Sequence, residues 1–263
     1  MSSERTDLLA GLQSLLRYHG SIGINHYPRN EGVDSFLRVL PRAPRKVEVP
    51  LERTTTRVQG STRNDIPAIT KSPVKIADIA AEVAACHACD LHKMRLYPVA
   101  GFGPEKVRLL IVGDWLFADA KGDLPSGHVF GVLQDQMLSK MLVAINLSAS
   151  EVFVTNVIKC AVPGTCQPQA THVQSCVSFL RRQIVALQPE LICTMGMVAA
   201  RAVLERSQPL SQLREQFHEY EVEKNKTIPV IATYHPTYLL QNPEMKQATW
   251  TDLQLLAKRL GLK

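Results

Sequence analysis

The chain has 263 residues, 45 % of them hydrophobic, with 30 Lys/Arg against 24 Asp/Glu and a net charge of +6. That apolar share can fill a core, and no apolar run reaches the ~18–20 residues of a membrane span, so a disordered chain and a membrane-spanning helix are both excluded. The basic excess suits a polyanionic partner without requiring one.

Residues 6–18 place Leu8, Leu9, Leu12, Leu15 and Leu16 at helical spacing and predict a short amphipathic helix, whose partner the sequence does not name. Residues 1–13 lack the basic start and apolar stretch of a secretory signal, so a cytoplasmic protein is expected. Between Pro28 and Pro73 stand six prolines, a Thr54-Thr55-Thr56 run and scattered arginines, the composition of an extended basic linker. Residues 1–80 hold twelve Lys/Arg against eight Asp/Glu. These segments read as a helical and extended N-terminal extension, residues 1–75, followed by a compact domain over 76–263.

Within that domain, apolar runs at residues 107–113, 152–158, 191–195 and 228–233 predict strands. Helical patterns follow them at 133–142, 171–187, 197–204 and 246–260. Such alternation implies an α/β fold, a three-layer αβα sandwich around a central four-stranded parallel sheet. Ligand sites in these folds lie beyond the carboxyl ends of the strands, here after Gly113, Thr155, Gly196 and Thr233.

Six cysteines in an intracellular chain read as metal ligands or buried core rather than disulfides. Cys86 and Cys89 form a C-x2-C pair, which a zinc site, a redox pair and an iron–sulfur site all use. Cys160 follows the second strand and Cys176 lies on the next helix, so the chain can bring both to the pair. Cys193, inside a strand, reads as core. Cys166, in a Pro/Gly-rich loop, is either a loop residue or an alternative ligand.

The spacing of Cys86, Cys89, Cys160 and Cys176 resembles that of the family 4 uracil-DNA glycosylases, which bind a 4Fe–4S cluster through four cysteines. Longer stretches carry the same resemblance: residues 86–95 (CHACDLHKMR), 99–103 (VAGFG), 155–160 (TNVIKC), 228–243 (IPVIATYHPTYLLQNP) and 246–253. Residues 1–75 fall outside it. The resemblance implies a monomeric DNA repair glycosylase that hydrolyses the N-glycosidic bond of a flipped-out damaged base, uracil foremost. Its partner would be single-stranded DNA or a duplex with one base extruded, and its 4Fe–4S cluster would be structural.

The family's first turn, Gly-Glu-Ala-Pro-Gly, reads Gly113-Asp114-Trp115-Leu116-Phe117 in this chain. Asp114 keeps a carboxylate that would support water attack on the sugar cation, or would instead cap a helix or turn. Trp115, Leu116 and Phe117 are bulky, and would narrow the pocket, line it for another base or pack into the core. Gly113 and Phe130 match the base pocket, with Phe130 stacking on the base or serving as plain core. Asn156 matches the residue that reads the uracil edge through its amide, or would satisfy backbone at the strand end, and His235 matches the one that stabilises charge on the departing base, or is a structural histidine. Leu239, Leu240 and Gln241 fall in the segment that enters the duplex, the leucines as wedges. Gln241 stands where the family usually has Arg, and residues 161–166 lack two further arginines. Arg214 survives, with Glu215 in place of the family glycine. These departures keep two other readings open: a silent or weakly active iron–sulfur DNA-binding relative, and a glycosylase of different base preference.

Overall fold

The computed structural model describes residues 75–118, 127–223 and 225–262. The helix expected over residues 6–18 and the linker expected between Pro28 and Pro73 lie outside the described residues. In chain order the elements are α1 (Ile76–Ala84), α2 (Leu91–Met94), β1 (Tyr97–Pro98), β2 (Leu109–Gly113), β3 (Phe117–Ala118) and α3 (Val132–Ala144). Then come β4 (Val152–Asn156), β5 (Cys160–Pro163), α4 (Ala170–Leu187), β6 (Leu191–Met195), α5 (Met197–Leu204) and α6 (Leu210–Leu213). The chain closes with β7 (Phe217–Glu223), β8 (Lys226–Thr233), α7 (Pro236–Gln241) and α8 (Lys246–Arg259). No helix among the described residues is long and apolar enough to cross a membrane.

Every residue of β2 and β6 is buried, as a continuous apolar run requires when both faces of a sheet are covered. Successive side chains point to opposite faces. Leu109 and Ile111 join Leu138 and Leu142 of α3 and Leu253 and Leu256 of α8. Leu110 and Val112 join Leu180 and Ile184 of α4 and Ala199 and Val203 of α5. This is the expected αβα sandwich, with one apolar layer on each side of the sheet.

The central sheet has the order β4-β2-β6-β8-β7. The four expected strands are its parallel members, and β7 adds a fifth, antiparallel to β8 at the edge. The acidic, alternating FHEYEVE of β7 buries only His218 fully, the composition of an edge strand with one wet face. A small second sheet, β1-β5-β3, is built from strands of two to four residues, too short to show a period in sequence.

Register aligns the carboxyl ends. Gly113 pairs with Asn156, Val112 with Thr194 and Met195 with Thr233. The residues that follow these strands therefore share one edge of the sheet. From β2 the chain proceeds to β4 on one side and β6 on the other, the switch point at which α/β sheets open a crevice.

Candidate active site

Phe130 and Asn156 meet over Gly113. A Cβ on Gly113 would collide with the Phe130 ring and lie 2.6 Å from Asn156 Oδ1, so the aromatic ring and the amide close on the strand end only because that residue is glycine. Asp135, in the first turn of α3, holds the loop that carries Phe130. Its carboxylate accepts from Val129 N and Phe130 N at 3.1 Å each, and pairs with His128 Nδ1 at 2.8 Å. Asn156 Nδ2 donates to the Val129 carbonyl at 2.6 Å. A carbonyl can only accept, which orients the amide. Asn156 Oδ1 is then buried with no hydrogen-bond partner among the described residues.

His235 stands beside the same ring, with centroids 4.8 Å apart. It is the N-cap of α7, and its Nδ1 accepts from Thr237 N at 3.2 Å. An accepting Nδ1 carries no proton, so the neutral ring keeps its proton on Nε2. Burial lowers the His235 pKa to about 4, which keeps the ring neutral near pH 7. Nε2 is also buried without a partner among the described residues. An orphaned acceptor and an orphaned donor thus sit beside one aromatic ring. Each costs about 1–3 kcal/mol unless a ligand pairs with it.

A buried ion pair anchors the turn that presents His235. Asp252, 1 % exposed, accepts from Arg214 Nε at 2.8 Å, Thr233 Oγ1 at 2.6 Å and Glu215 N at 3.1 Å. The Arg214 guanidinium lies 4.4 Å from the centre of the Tyr234 ring. Glu215 has φ +61°, the left-handed region, where the resembling family places glycine.

Asp114 follows β2 as expected, but its carboxylate is engaged by α5. Oδ1 accepts from Ala199 N at 2.6 Å. Gly196 makes room for it, since a Cβ there would lie 2.7 Å from Asp114 Cγ. The capping alternative is therefore realised, across 85 residues of chain. Burial raises the Asp114 pKa to about 7, against the opposing amide bonds from Ala199 and Val198.

The three bulky neighbours diverge. Leu116 is fully buried in the core with Val129 and Phe130. Trp115 packs against the cluster of Leu91, Ile158, Cys160, Val162 and Cys176. Phe117 is 44 % exposed, edge-on to Trp115 at 5.6 Å. Of the two leucines expected as wedges, Leu239 is 1 % exposed and Leu240 38 % exposed. Gln241 is exposed at the end of α7.

Cys86, Cys89, Cys160 and Cys176 line one small cavity, together with Arg95 and Lys159. The C-x2-C pair occupies the α1–α2 turn, Cys160 the central strand of the small sheet and Cys176 the helix α4. His172 Nε2, at 2.8 Å from Asp90 Oδ1, ties α4 to that turn. Arg95 ties it to the Val83 and Ala84 carbonyls at 3.1 and 2.6 Å. Burial pushes the Cys160 thiol up to about 11, Cys176 adds to the rise and Arg95 opposes it, so a bound metal would have to displace the Cys160 proton. Among the described residues no three His, Cys, Asp or Glu side chains group tightly enough for a metal ion. One zinc at ~2.3 Å from each sulfur would need thiolates roughly 3.8 Å apart. Four cysteines around one cavity are a donor set of the kind an iron–sulfur cluster takes. Cys166 does not line the cavity, and Cys193 is buried in β6 at 1 % exposure.

Sequence reasoning missed Asp135 and Asp252. Asp135 acts through backbone amides of the loop before its helix, and Asp252 through partners distant in the chain, neither of which periodicity reports.

A family model described as Uracil DNA glycosylase superfamily matches residues 100–254. The chain is similar to a type-4 uracil-DNA glycosylase of Archaeoglobus fulgidus, 31 % identical over 191 residues that cover 71 % of this chain and 94 % of the relative. A type-4 uracil-DNA glycosylase of Pyrobaculum aerophilum is 29 % identical over 174 residues, 65 % of this chain and 87 % of the relative. A type-5 uracil-DNA glycosylase of the same organism is 31 % identical over 159 residues, 55 % of this chain and 68 % of that protein.

Proposed function

The chain belongs to the uracil DNA glycosylase superfamily, and on that premise we propose that it is a DNA repair glycosylase that extrudes uracil from DNA and hydrolyses its N-glycosidic bond. The reading is carried by the two orphaned atoms, Asn156 Oδ1 and His235 Nε2, beside Phe130. A uracil edge offers an N–H to the acceptor and a carbonyl oxygen to the donor, so one base satisfies both. Phe130 supplies the stacking face. Its ring is 2 % exposed, so the loop between Gly127 and Gly131, at φ +107° and +117°, must yield to admit a base.

In hydrolysis the C1′–N1 bond breaks and its electron pair leaves with the base. His235 Nε2–H donates to the carbonyl oxygen on which that charge develops. Asp114, when ionised, stabilises the oxocarbenium-like sugar and orients the water that adds to C1′. The proton released by the water ends on the base, and the products are free uracil and an abasic site. Leu240 and Gln241 meet the opened base stack. Cys86, Cys89, Cys160 and Cys176 would hold a 4Fe–4S cluster, which would tie the α1–α2 turn, β5 and α4 together beside the strand end that carries Asn156.

The second reading, a silent DNA-binding relative, has one observation behind it: the Asp114 carboxylate is spent on capping α5. Uracil release from single-stranded and duplex oligonucleotides, measured alongside binding, separates the two. Release above the protein-free control supports the enzyme. Binding without release from uracil, hypoxanthine or xanthine strands supports the silent relative.

A further inference from the structure

Lys159 is 1 % exposed, and its ammonium spends all three donors inside the protein. Nζ lies 2.7 Å from Thr155 Oγ1, 2.7 Å from the Asn156 carbonyl and 2.6 Å from Gln183 Oε1. None of these acceptors is a carboxylate. A buried ammonium held by neutral dipoles alone is costly unless an anion shares its surroundings. The four cysteines, once deprotonated around a cluster, would supply that anion. Lys159 lines the same cavity as Cys86, Cys89, Cys160 and Cys176. Its backbone N–H is hydrogen-bonded to Cys176.

The same side chain grips the base-reading turn. The Asn156 carbonyl is one of its three acceptors, and Thr155 and Gln183, the other two, are fully buried. Gln183 Nε2 continues the network to the Ala100 carbonyl at 2.5 Å. The end of β4, helix α4 and the loop at residues 99–103 are thereby joined through one ammonium.

We propose that Lys159 couples the cysteine centre to base recognition: it is the counter-cation of a cluster held by the four thiolates, and through the Asn156 carbonyl it positions the amide that reads the base. This rests on the cluster and the uracil site proposed above. Lys159 is a positioning residue; it touches neither the base nor the sugar.

The test uses the full chain purified with its iron, beside Lys159→Met, which keeps the length of the stem and removes the charge. The variant's cluster should be reduced at a lower potential than wild type, because a nearby positive charge favours the added electron. Its binding preference for a uracil-containing strand over the matching thymine strand should fall about tenfold, the scale of one buried hydrogen bond to a charged group. Hydrogen exchange on wild-type protein, before and after iron removal, needs no variant. Amides 155–159 should exchange about tenfold faster without the cluster, while residues 228–233 stay unchanged. An unchanged potential in the variant, or unchanged exchange at 155–159, overturns the coupling. If the variant does not fold, the exchange comparison decides alone. Iron-free wild-type protein refutes the cluster, and the coupling with it; bound iron with no shift in either measurement refutes the coupling alone.

Discussion

Asp114→Asn is the perturbation that bears most directly on the altered first turn. Burial holds the Asp114 pKa at about 7, so about one tenth of the carboxylate is ionised at pH 6 and about nine tenths at pH 8. If the ionised form supports water attack, kcat/KM for uracil release should rise about tenfold over that interval. His235 leaves this limb unaffected, because with its pKa lowered to about 4 it is neutral throughout. Asp114→Asn should give a lower and flat profile. Stability offers an independent reading of the same shift. A folded-state pKa above the ordinary value of 3.8 contributes stability that is present below that value and lost as pH rises through about 7. The difference is at most ~4 kcal/mol, and less for the water that still reaches this half-buried residue. The melting temperature of Asp114→Asn relative to wild type should therefore be more favourable at pH 8 than at pH 5. A wild-type rate that is flat from pH 6 to 8, with both proteins keeping the same melting difference at pH 5 and 8, would refute the reasoning. It would mean that the Ala199 and Val198 amides outweigh burial.

His235→Ala removes the Nε2–H donor and should slow single-turnover uracil release about a hundredfold, with little change in binding to abasic DNA. Cys160→Ser should lose iron and brown colour, whereas Cys193→Ala, buried in β6 away from the cavity, should keep both in an iron assay. Glu215→Gly relieves a left-handed residue at φ +61° and keeps its backbone N–H for Asp252. It should stabilise by about 1 kcal/mol and raise the melting temperature by about 2–4 °C. Removing residues 1–74 should leave uracil release intact and flatten the salt dependence of DNA binding, since that segment carries eleven Lys/Arg against seven Asp/Glu.

Local pattern was enough for the layers and for the parallel strands. Runs such as LLIVG and LICTM are apolar throughout because both faces of the sheet are covered, and that condition leaves its mark in consecutive residues. The places to look for chemistry were legible for the same reason: Asp114, Asn156 and His235 each follow or end a recognisable strand. Direction of side chains was not legible, because it depends on contacts between distant parts of the chain. Asp114 turns to the first amides of α5, and only the meeting of β2 with β6 brings those amides to it. Leu239 and Leu240 are neighbours of the same type, yet the packing of α7 buries one and exposes the other. The Asn156 amide is oriented by Val129, and its carbonyl by Lys159, through groups that meet only once the sheet has closed. Sequence alone named the residues gathered at this edge; the tertiary contacts decided which atoms remain unpaired, because each hydrogen bond made inside the protein withdraws a donor or an acceptor from the ligand.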